Sequence, residues 1–166
     1  MIRQCNAAEV APVCTLIEAA YRDYVALLGR NPQPLDDDYA ALINAGEVFV
    51  LERDGRIDGA LVLQQVEDHL LVRTVAVDPS SQRQGLGTLM MEYAEIHARD
   101  RGIATLRLYT NEVMAGNVEL YSRLGYSETH RTGPVGRQIV HMAIRSDPAL
   151  SPAIDRRGYL KAPTNG

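Results

Sequence analysis

A strand, a polar loop and the start of a helix follow one another in the segment Asp78-Pro79-Ser80-Ser81-Gln82-Arg83-Gln84-Gly85-Leu86-Gly87-Thr88. The apolar run from Leu70 to Val77 predicts the strand, which ends at Asp78-Pro79. Apolar residues then recur at helical spacing, which predicts an amphipathic helix from Leu86 to about Gly102. A polar loop that leads into a helix through paired glycines is typical of an anion-binding site.

The physical basis of this prediction is the unpaired backbone at the helix start. The first N–H groups of a helix have no partner within it, and the helix dipole adds about half a positive charge there. Gly85 and Gly87 allow a phosphate to approach the backbone, and Arg83 adds a charged donor. The segment lacks the Gly-Lys-Ser/Thr ending of a Walker loop. It also lacks the third glycine of the dinucleotide fingerprint, because Met90 holds that place. A loop that merely starts a helix is the alternative on spacing alone.

The rest of the chain predicts a mixed α/β fold. A crossover from the strand before the loop to a strand over Thr105 to Thr110 requires parallel pairing, whereas hairpins such as the one at Asp54-Gly55 require antiparallel pairing. We therefore expect a mixed central sheet of about six to seven strands with helices on both faces. The remaining predicted elements are strands at Ile2–Cys5, Glu47–Arg53, Ile57–Gln65, Ser127–Arg131 and Gln138–Arg145, and helices at Ala8–Ala26, Asp36–Ala45 and Asn117–Leu124.

Length and charge narrow the class of protein. The chain has 166 residues, a length that favours a single domain, which we expect to span residues 1–145. Residues 146–166 form a proline-containing tail that we expect to be mobile or to form an interface. A net charge of -4 without a basic run argues against a nucleic-acid partner. No apolar run reaches the roughly 20 residues of a membrane helix, and no signal-peptide core follows Met1. We expect a cytoplasmic protein with no membrane partner.

The cysteines and histidines do not predict a metal site. Cys5 and Cys14 form no Cys-x-x-Cys pair, and the four histidines are scattered without zinc-ligand spacing. We expect two reduced, partly buried thiols and no bound metal.

A second informative segment runs from Asn117 to Tyr126 and predicts a short helix followed by a glycine and an aromatic residue. Asn117 and Tyr121 are four residues apart and therefore share one helix face. A tyrosine hydroxyl there is a candidate general acid. The alternative is that Tyr121 packs against the sheet and that Tyr126 fills the core.

The two segments together resemble the acetyl-CoA motifs of the GNAT superfamily of N-acetyltransferases. Gln82 to Gly87 meet the family pattern Q/R-x-x-G-x-G/A, and the strand from Thr74 to Pro79 is similar to the family's. Leu120 to Tyr126 match its Leu-Tyr-x-x-x-Gly-aromatic run. The resemblance covers roughly residues 2–145 and is specific between Leu71 and Tyr126. It implies a GNAT-like sheet and acetyl-CoA as a co-substrate.

The resemblance also implies roles for individual residues. The backbone of Val75, Ala76 and Val77 would pair with the pantetheine arm, and the Val77 N–H would polarise the thioester carbonyl. Asn117 would bond the cofactor near its pantetheine, and Tyr121 would protonate the departing thiolate. Within the loop, residues from Arg83 onward would hold the pyrophosphate of the cofactor. The loop residues that would bind the cofactor are Gln82, Arg83, Gln84, Gly85, Leu86, Gly87 and Thr88.

The general base is the least determined part of the predicted site. Relatives that acetylate protein N-termini carry a glutamate on the strand after the long helix, and Tyr109 holds that place here. Glu112 follows closely and is the candidate base, acting through water; Glu128 and His130 are weaker candidates. Met114 also departs from the asparagine found in many relatives, which weakens the inference for Asn117.

The acceptor side is predicted by position in the fold alone. Tyr21, Tyr24 and the loop from Gly29 to Asp38 are expected to flank the acceptor pocket, with ordinary core and loop roles as the alternative. The function predicted is direct transfer of acetyl from acetyl-CoA to a primary amine of a small molecule or peptide. A catalytically weak acetyl-CoA sensor and another phosphate-ligand binder are the alternatives, and a homodimer is possible.

Overall fold

The computed structural model describes residues 1–146, which form one sheet with helices on both faces. The strands are β1 (Ile2–Gln4), β2 (Val48–Arg53), β3 (Arg56–Val66), β4 (His69–Val77), β5 (Thr105–Asn111), β6 (Ser127–Thr132) and β7 (Ile139–Arg145). The α-helices are α1 (Val10–Leu28), α2 (Tyr39–Asn44), α3 (Leu86–Asp100) and α4 (Ala115–Arg123). Residues 147–166, which hold almost all of the predicted tail, lie outside the described residues.

Residues 1–146 form a sheet of seven strands in the order β1-β2-β3-β4-β5-β7-β6. Among these strands only β4 and β5 pair in parallel, and α3 provides the crossover between them. Every other neighbouring pair is antiparallel. The predicted mixed sheet is therefore confirmed.

Two apolar cores lie on opposite faces of the sheet. Side chains alternate along β2, so that Val48 and Val50 face α1 and α2 while Phe49 and Leu51 face α3. All four are buried, which explains their continuous apolar run. The second face extends farther along the sheet, because α3 and α4 also cover β5 and β7. On the face of α1, the chain after this helix reaches β5, where Gln33 contacts Tyr109.

The predicted helix boundaries need three corrections. Helix α1 starts at Val10, because a 3-10 turn over Ala7–Glu9 with an Asn6 capping box comes first. Helix α2 starts at Tyr39 instead of Asp36, because the Asp38 side chain caps it through the N–H of Ala41.

Helix α4 starts at Ala115, two residues before the predicted Asn117. The N–H groups of Asn117 and Val118 already bond the carbonyl of Met114, so the first turn begins there.

A bulge in β4 opens the sheet. The register with β3 pairs Val62 with Thr74 but Leu63 with Val72, which leaves Arg73 as the extra residue. Val72 is also the last β4 residue that pairs with β5, through Leu108. Beyond the bulge the two parallel strands diverge, so β4 from residue 73 to 77 keeps β3 on one side only. This divergence creates the space for the candidate site.

The half-buried His97 side chain makes stability depend on pH. Its ring lies 4.9 Å from Phe49 and 6.1 Å from Tyr93 between centroids, and burial lowers its pKa from 6.5 to about 4, with a further lowering by Arg101. Between these values the unfolded chain binds a proton that the folded chain does not. Stability is therefore complete above the unfolded pKa and falls as pH drops through that window.

We expect urea denaturation to give a lower free energy of unfolding at pH 5 than at pH 7, and His97→Gln to reduce this difference. If the free energy of unfolding changed equally with pH in the native protein and in His97→Gln, the loss of stability would belong to other groups.

None of the helices within residues 1–146 has the length and apolar character needed to cross a bilayer.

Candidate active site

The open edge of β4 presents backbone groups to the space between β4 and β5. The Val75 carbonyl accepts a hydrogen bond from the Tyr21 hydroxyl at 3.1 Å, and the Val77 carbonyl accepts one from Gln82 Nε2 at 3.2 Å. Both carbonyls therefore point away from β3. Because the N–H and C=O of one strand residue point to the same side, the Val75 and Val77 N–H groups also face the opening.

The loop after β4 brings further N–H groups to the same opening. Asp78 caps a 3-10 turn through the N–H of Ser80, and Gly85 at φ +77 directs the chain into α3. The first bond of this helix runs from the Leu89 N–H to the Gly85 carbonyl. The N–H groups of Leu86, Gly87 and Thr88 consequently have no partner inside the helix.

A cavity of about 460 Å³ joins these two features, and we call it the cofactor-side cavity. Gln84 is the exception among the predicted cofactor-binding residues: its Oε1 accepts from Arg53 at 2.9 Å instead of facing the cavity. The others line the cavity, namely Val75, Ala76, Val77, Gln82, Arg83, Gly85, Leu86, Gly87, Thr88, Asn117 and Tyr121. Arg123, which pairs with Glu119, also lines it and was not predicted.

A smaller cavity of about 120 Å³ lies under the chain that connects α1 and α2, and we call it the acceptor-side cavity. Tyr21, Val75, Asn117 and Tyr121 line both cavities, so the two meet at these side chains. Tyr21 and part of the loop predicted to flank an acceptor pocket do line this cavity, whereas Tyr24 lines the cofactor-side cavity.

Tyr121 lies at this junction in a buried environment. Helix α4 holds it with its ring 6.1 Å from the Tyr126 ring, and the residue is 9% exposed. Burial raises its pKa to about 12, with a smaller contribution from Tyr24. The hydroxyl therefore stays protonated at neutral pH. Tyr126 is buried in the core, as its alternative role predicted.

The wall of the acceptor-side cavity is held by a chain of polar contacts. The Tyr109 hydroxyl donates to Gln33 Oε1 at 2.9 Å, and Gln33 Nε2 donates to Asp37. Arg73 binds both oxygens of Asp37, at 2.7 Å and 3.1 Å, and donates to Gln64 at 3.1 Å. The bulged residue of β4 is thereby tied to the chain before α2, which explains why Asp37 does not belong to that helix.

The structure does not bring Glu112 to the junction of the cavities. Its carboxylate accepts from Arg131 at 3.1 Å and from the Gln138 N–H at 2.8 Å, and it lines neither cavity. These contacts fix the end of β5 to β6 and to the start of β7. Glu128 also binds Arg131, and His130 stacks on His141, so neither weaker candidate reaches the junction.

The sequence analysis missed Arg73 and Arg123, and it included Gln33 only as part of the predicted loop over residues 29–38. Arg73 and Gln33 act through contacts with residues 36 and 76 positions away in the chain, which no local pattern reveals. Arg123 could have been predicted from the sequence, because it lies two residues after Tyr121 within the segment from Leu120 to Tyr126 that resembles the GNAT motif.

Comparison with known proteins agrees with this geometry. The profile of the acetyltransferase (GNAT) family matches residues 14–126. The chain belongs to the GNAT family. The match contains the strand, the glycine loop and both helices that form the cofactor-side cavity, and the predicted family and fold class are confirmed.

Individual GNAT proteins are similar over part or all of the chain. The [Ribosomal protein bS18]-alanine N-acetyltransferase of Escherichia coli is 36% identical over 80 residues, which are 48% of this chain and 54% of that protein. The mycothiol acetyltransferase of Thermomonospora curvata is 37% identical over 81 residues, or 48% of this chain and 27% of that protein. The chain thus matches about half of the first relative's length, and less of the second.

Solved structures share the fold over a greater length. The crystal structure of the Escherichia coli ribosomal-protein-S18-alanine N-acetyltransferase has a TM-score of 0.71 at 24% identity and covers 91% of this chain and 98% of its own. The structure of yncA from Salmonella typhimurium with its cofactor acetyl-CoA has a TM-score of 0.70 at 19% identity, with coverages of 92% and 96%. At these identities the likeness concerns the fold.

Proposed function

We propose that this protein transfers the acetyl group of acetyl-CoA to the α-amine at the start of a polypeptide. The observation that carries the proposal is the position of Tyr121, a protonated hydroxyl at the point where the two cavities meet. Membership of the GNAT family and a fold neighbour that holds acetyl-CoA support the co-substrate. The name of the Escherichia coli relative, which specifies an alanine of a ribosomal protein, supports a polypeptide acceptor.

Three groups of the chain support acetyl-CoA as the ligand of the cofactor-side cavity. The N–H groups at the start of α3 suit the pyrophosphate. The free edge of β4 suits an extended arm with alternating donors and acceptors, once the Tyr21 hydroxyl leaves the Val75 carbonyl. The bound thioester supplies the acyl group. In the transfer we propose, the amine nitrogen bonds the acyl carbon while the C–S bond breaks, and the Val77 N–H stabilises negative charge on the thioester oxygen. The Tyr121 hydroxyl donates its proton to the leaving sulfur, and the proton lost by the nitrogen passes through water and restores the hydroxyl.

An α-amine suits the acceptor-side cavity better than a lysine side chain does. No aspartate, glutamate or histidine lines this cavity within residues 1–146, whereas Arg30 and Arg73 do. The amine must therefore arrive neutral. At pH 7.5 roughly a third of an α-amine is neutral but only about 0.1% of a lysine amine, from pKa values of about 7.7–8.0 and about 10.4. The proposal accordingly assigns no side chain as the general base and leaves Glu112 in a structural role.

A thiol-release assay with matched amines tests this proposal. Alanine amide and Nα-acetyl-lysine amide present one α-amine and one ε-amine respectively. At pH 7.5 we expect kcat/KM to favour alanine amide by about 100-fold or more, since the neutral fractions differ by that order. Raising the pH to 9 should shrink the ratio. Absence of thiol release with every amine, or a preference for the ε-amine at pH 7.5, would contradict the proposal.

The remaining sequence-based expectations stay predictions. These are the division at residue 145, the roles of the predicted site residues, the cytoplasmic location, the absence of nucleic-acid and membrane partners, and a homodimer. The position of Tyr121 at the junction of the cavities favours transfer over the acetyl-CoA sensor.

A further inference from the structure

The face of the sheet that carries α1 continues beyond the acceptor-side cavity as an open groove of about 410 Å³. We call it the β5–β7 groove. Its lining within residues 1–146 comes from strands β4, β5, β6 and β7 and includes no helix residue. The side chains that matter for its chemistry are His69, Leu71, Arg107, Tyr109, His130 and His141.

The groove lies next to the acceptor-side cavity, because Tyr109 lines both. The acceptor-side cavity alone, at about 120 Å³, is smaller than the roughly 300–1,000 Å³ typical of small-ligand sites. A polypeptide acceptor whose amine reaches Tyr121 must therefore extend out of it. The groove at about 410 Å³ lies within that range and begins at the Tyr109 side chain.

The charges along this path favour an acidic occupant. Arg107 is exposed and has no acidic partner within residues 1–146, and the same holds for Arg30 in the acceptor-side cavity. No described carboxylate lines the groove, although Asp68 lies at its rim, 3.4 Å from His69. The net charge of -4 repels an acidic segment only weakly at the groove, because salt screens the interaction between charges more than about 8–10 Å apart.

The histidines of the groove do not form a metal site. The rings of His130 and His141 stack at 4.0 Å and 9°, and hydroxyls of Thr129 and Thr132 bond their nitrogens at 3.0 Å. Within the described residues no three potential ligands converge on a common point for a metal ion. The stacked pair instead forms a flat wall beside Tyr109, whose ring centroid lies 6.1 Å from that of His141.

We propose that the β5–β7 groove binds the residues that follow the acceptor amine when the acceptor is an acidic polypeptide segment. The inference rests on the proposed function and specifies its acceptor. The terminal residue occupies the acceptor-side cavity, the chain passes Tyr109, and carboxylates two or more residues on meet Arg107.

Competing peptides with the same first residue test this inference. One has alanine followed by four acidic residues, and the other has alanine followed by four lysines blocked at their ε-amines by acetylation, which makes it neutral. We expect the native protein to favour the acidic peptide by roughly tenfold in kcat/KM through KM, and the ratio to shrink between 0.05 M and 0.5 M salt. Arg107→Glu should abolish the preference, and Arg22→Glu, which changes an exposed arginine of α1 that lines neither the two cavities nor the groove, should keep it.

The outcomes separate the two proposals. If neither alanine amide nor any peptide releases thiol, the proposed function fails. If alanine amide is acetylated but the two peptides have equal KM values, or Arg107→Glu keeps the preference, only the groove assignment is overturned. Arg107→Gln, which removes the charge without reversing it, replaces Arg107→Glu if thermal denaturation shows that the latter is unfolded, and it should at least halve the preference.

Discussion

Replacement of Tyr121 by phenylalanine is expected to lower kcat by roughly 100-fold or more, because a positioned general acid contributes about 10² to 10⁴ in rate. The ring would keep its packing against Tyr126, so only the hydroxyl at the junction of the cavities is lost. The dissociation constant for acetyl-CoA should change by less than about threefold. Single-turnover acetylation and calorimetric titration measure the two quantities separately.

Tyr126→Phe is the matched control for this variant. The Tyr126 hydroxyl is buried without a hydrogen-bond partner, and the residue lines neither cavity. Its removal should leave kcat near the native value. A native kcat in Tyr121→Phe, or an equal loss in both variants, would remove Tyr121 from the mechanism.

The pKa of Tyr121 gives the same prediction a second readout. Since burial raises this pKa to about 12, the acid form persists through the alkaline range in which enzymes are assayed. The rate should rise with pH as the amine loses its proton and then stay level to about pH 10. A fall in kcat near pH 9 that disappears in Tyr121→Phe would show that burial does not hold the proton on this hydroxyl.

Gly85→Asp is expected to weaken acetyl-CoA binding by at least about tenfold. A carboxylate about 4 Å from a phosphate charge costs about 1–4 kcal/mol at effective dielectric constants between those of water and a protein surface. The residue lines the cofactor-side cavity, directly before the free N–H groups of α3. Calorimetry with acetyl-CoA measures the loss.

Gly55→Asp controls for backbone strain. Gly55 has φ +75 against +77 for Gly85, and a Cβ at either position would meet no atom within 4 Å. The two substitutions therefore share their conformational cost. Only Gly85 lines the cavity, so Gly55→Asp should retain native affinity. Equal losses of affinity would mean that the loop acts through stability and does not contact the phosphates.

The sheet and the phosphate loop could be predicted because their signals are local. The alternation of apolar and polar residues determines the strands, the Asp54-Gly55 turn determines a hairpin, and the glycines of the loop determine the start of α3. The bulge at Arg73 could not be predicted in this way, because a bulge is a mismatch of register between two strands. The start of α2 was misplaced for a related reason. In the sequence Asp36, Asp37 and Asp38 are equally suited to cap the helix, and only the folded chain distinguishes them, because Arg73 binds Asp37.

The candidate base shows where proximity in sequence fails. Glu112 lies one residue after β5 and near the predicted site along the chain, yet its carboxylate turns to Arg131 and the Gln138 N–H. Tyr109, where the resemblance implied a glutamate in relatives, instead bonds Gln33 and lines both the acceptor-side cavity and the β5–β7 groove. The acceptor surface is thus formed by contacts distant in sequence, while the cofactor surface is formed within one continuous segment.

Calorimetric titration of the native chain with acetyl-CoA tests the central claim most directly, namely that the free edge of β4 and the N–H groups of α3 hold this molecule. Saturable binding of one acetyl-CoA per chain is expected, with much weaker binding of acetyl-pantetheine, which lacks the pyrophosphate. Failure to bind acetyl-CoA, or equal affinity for the two compounds, would contradict the account.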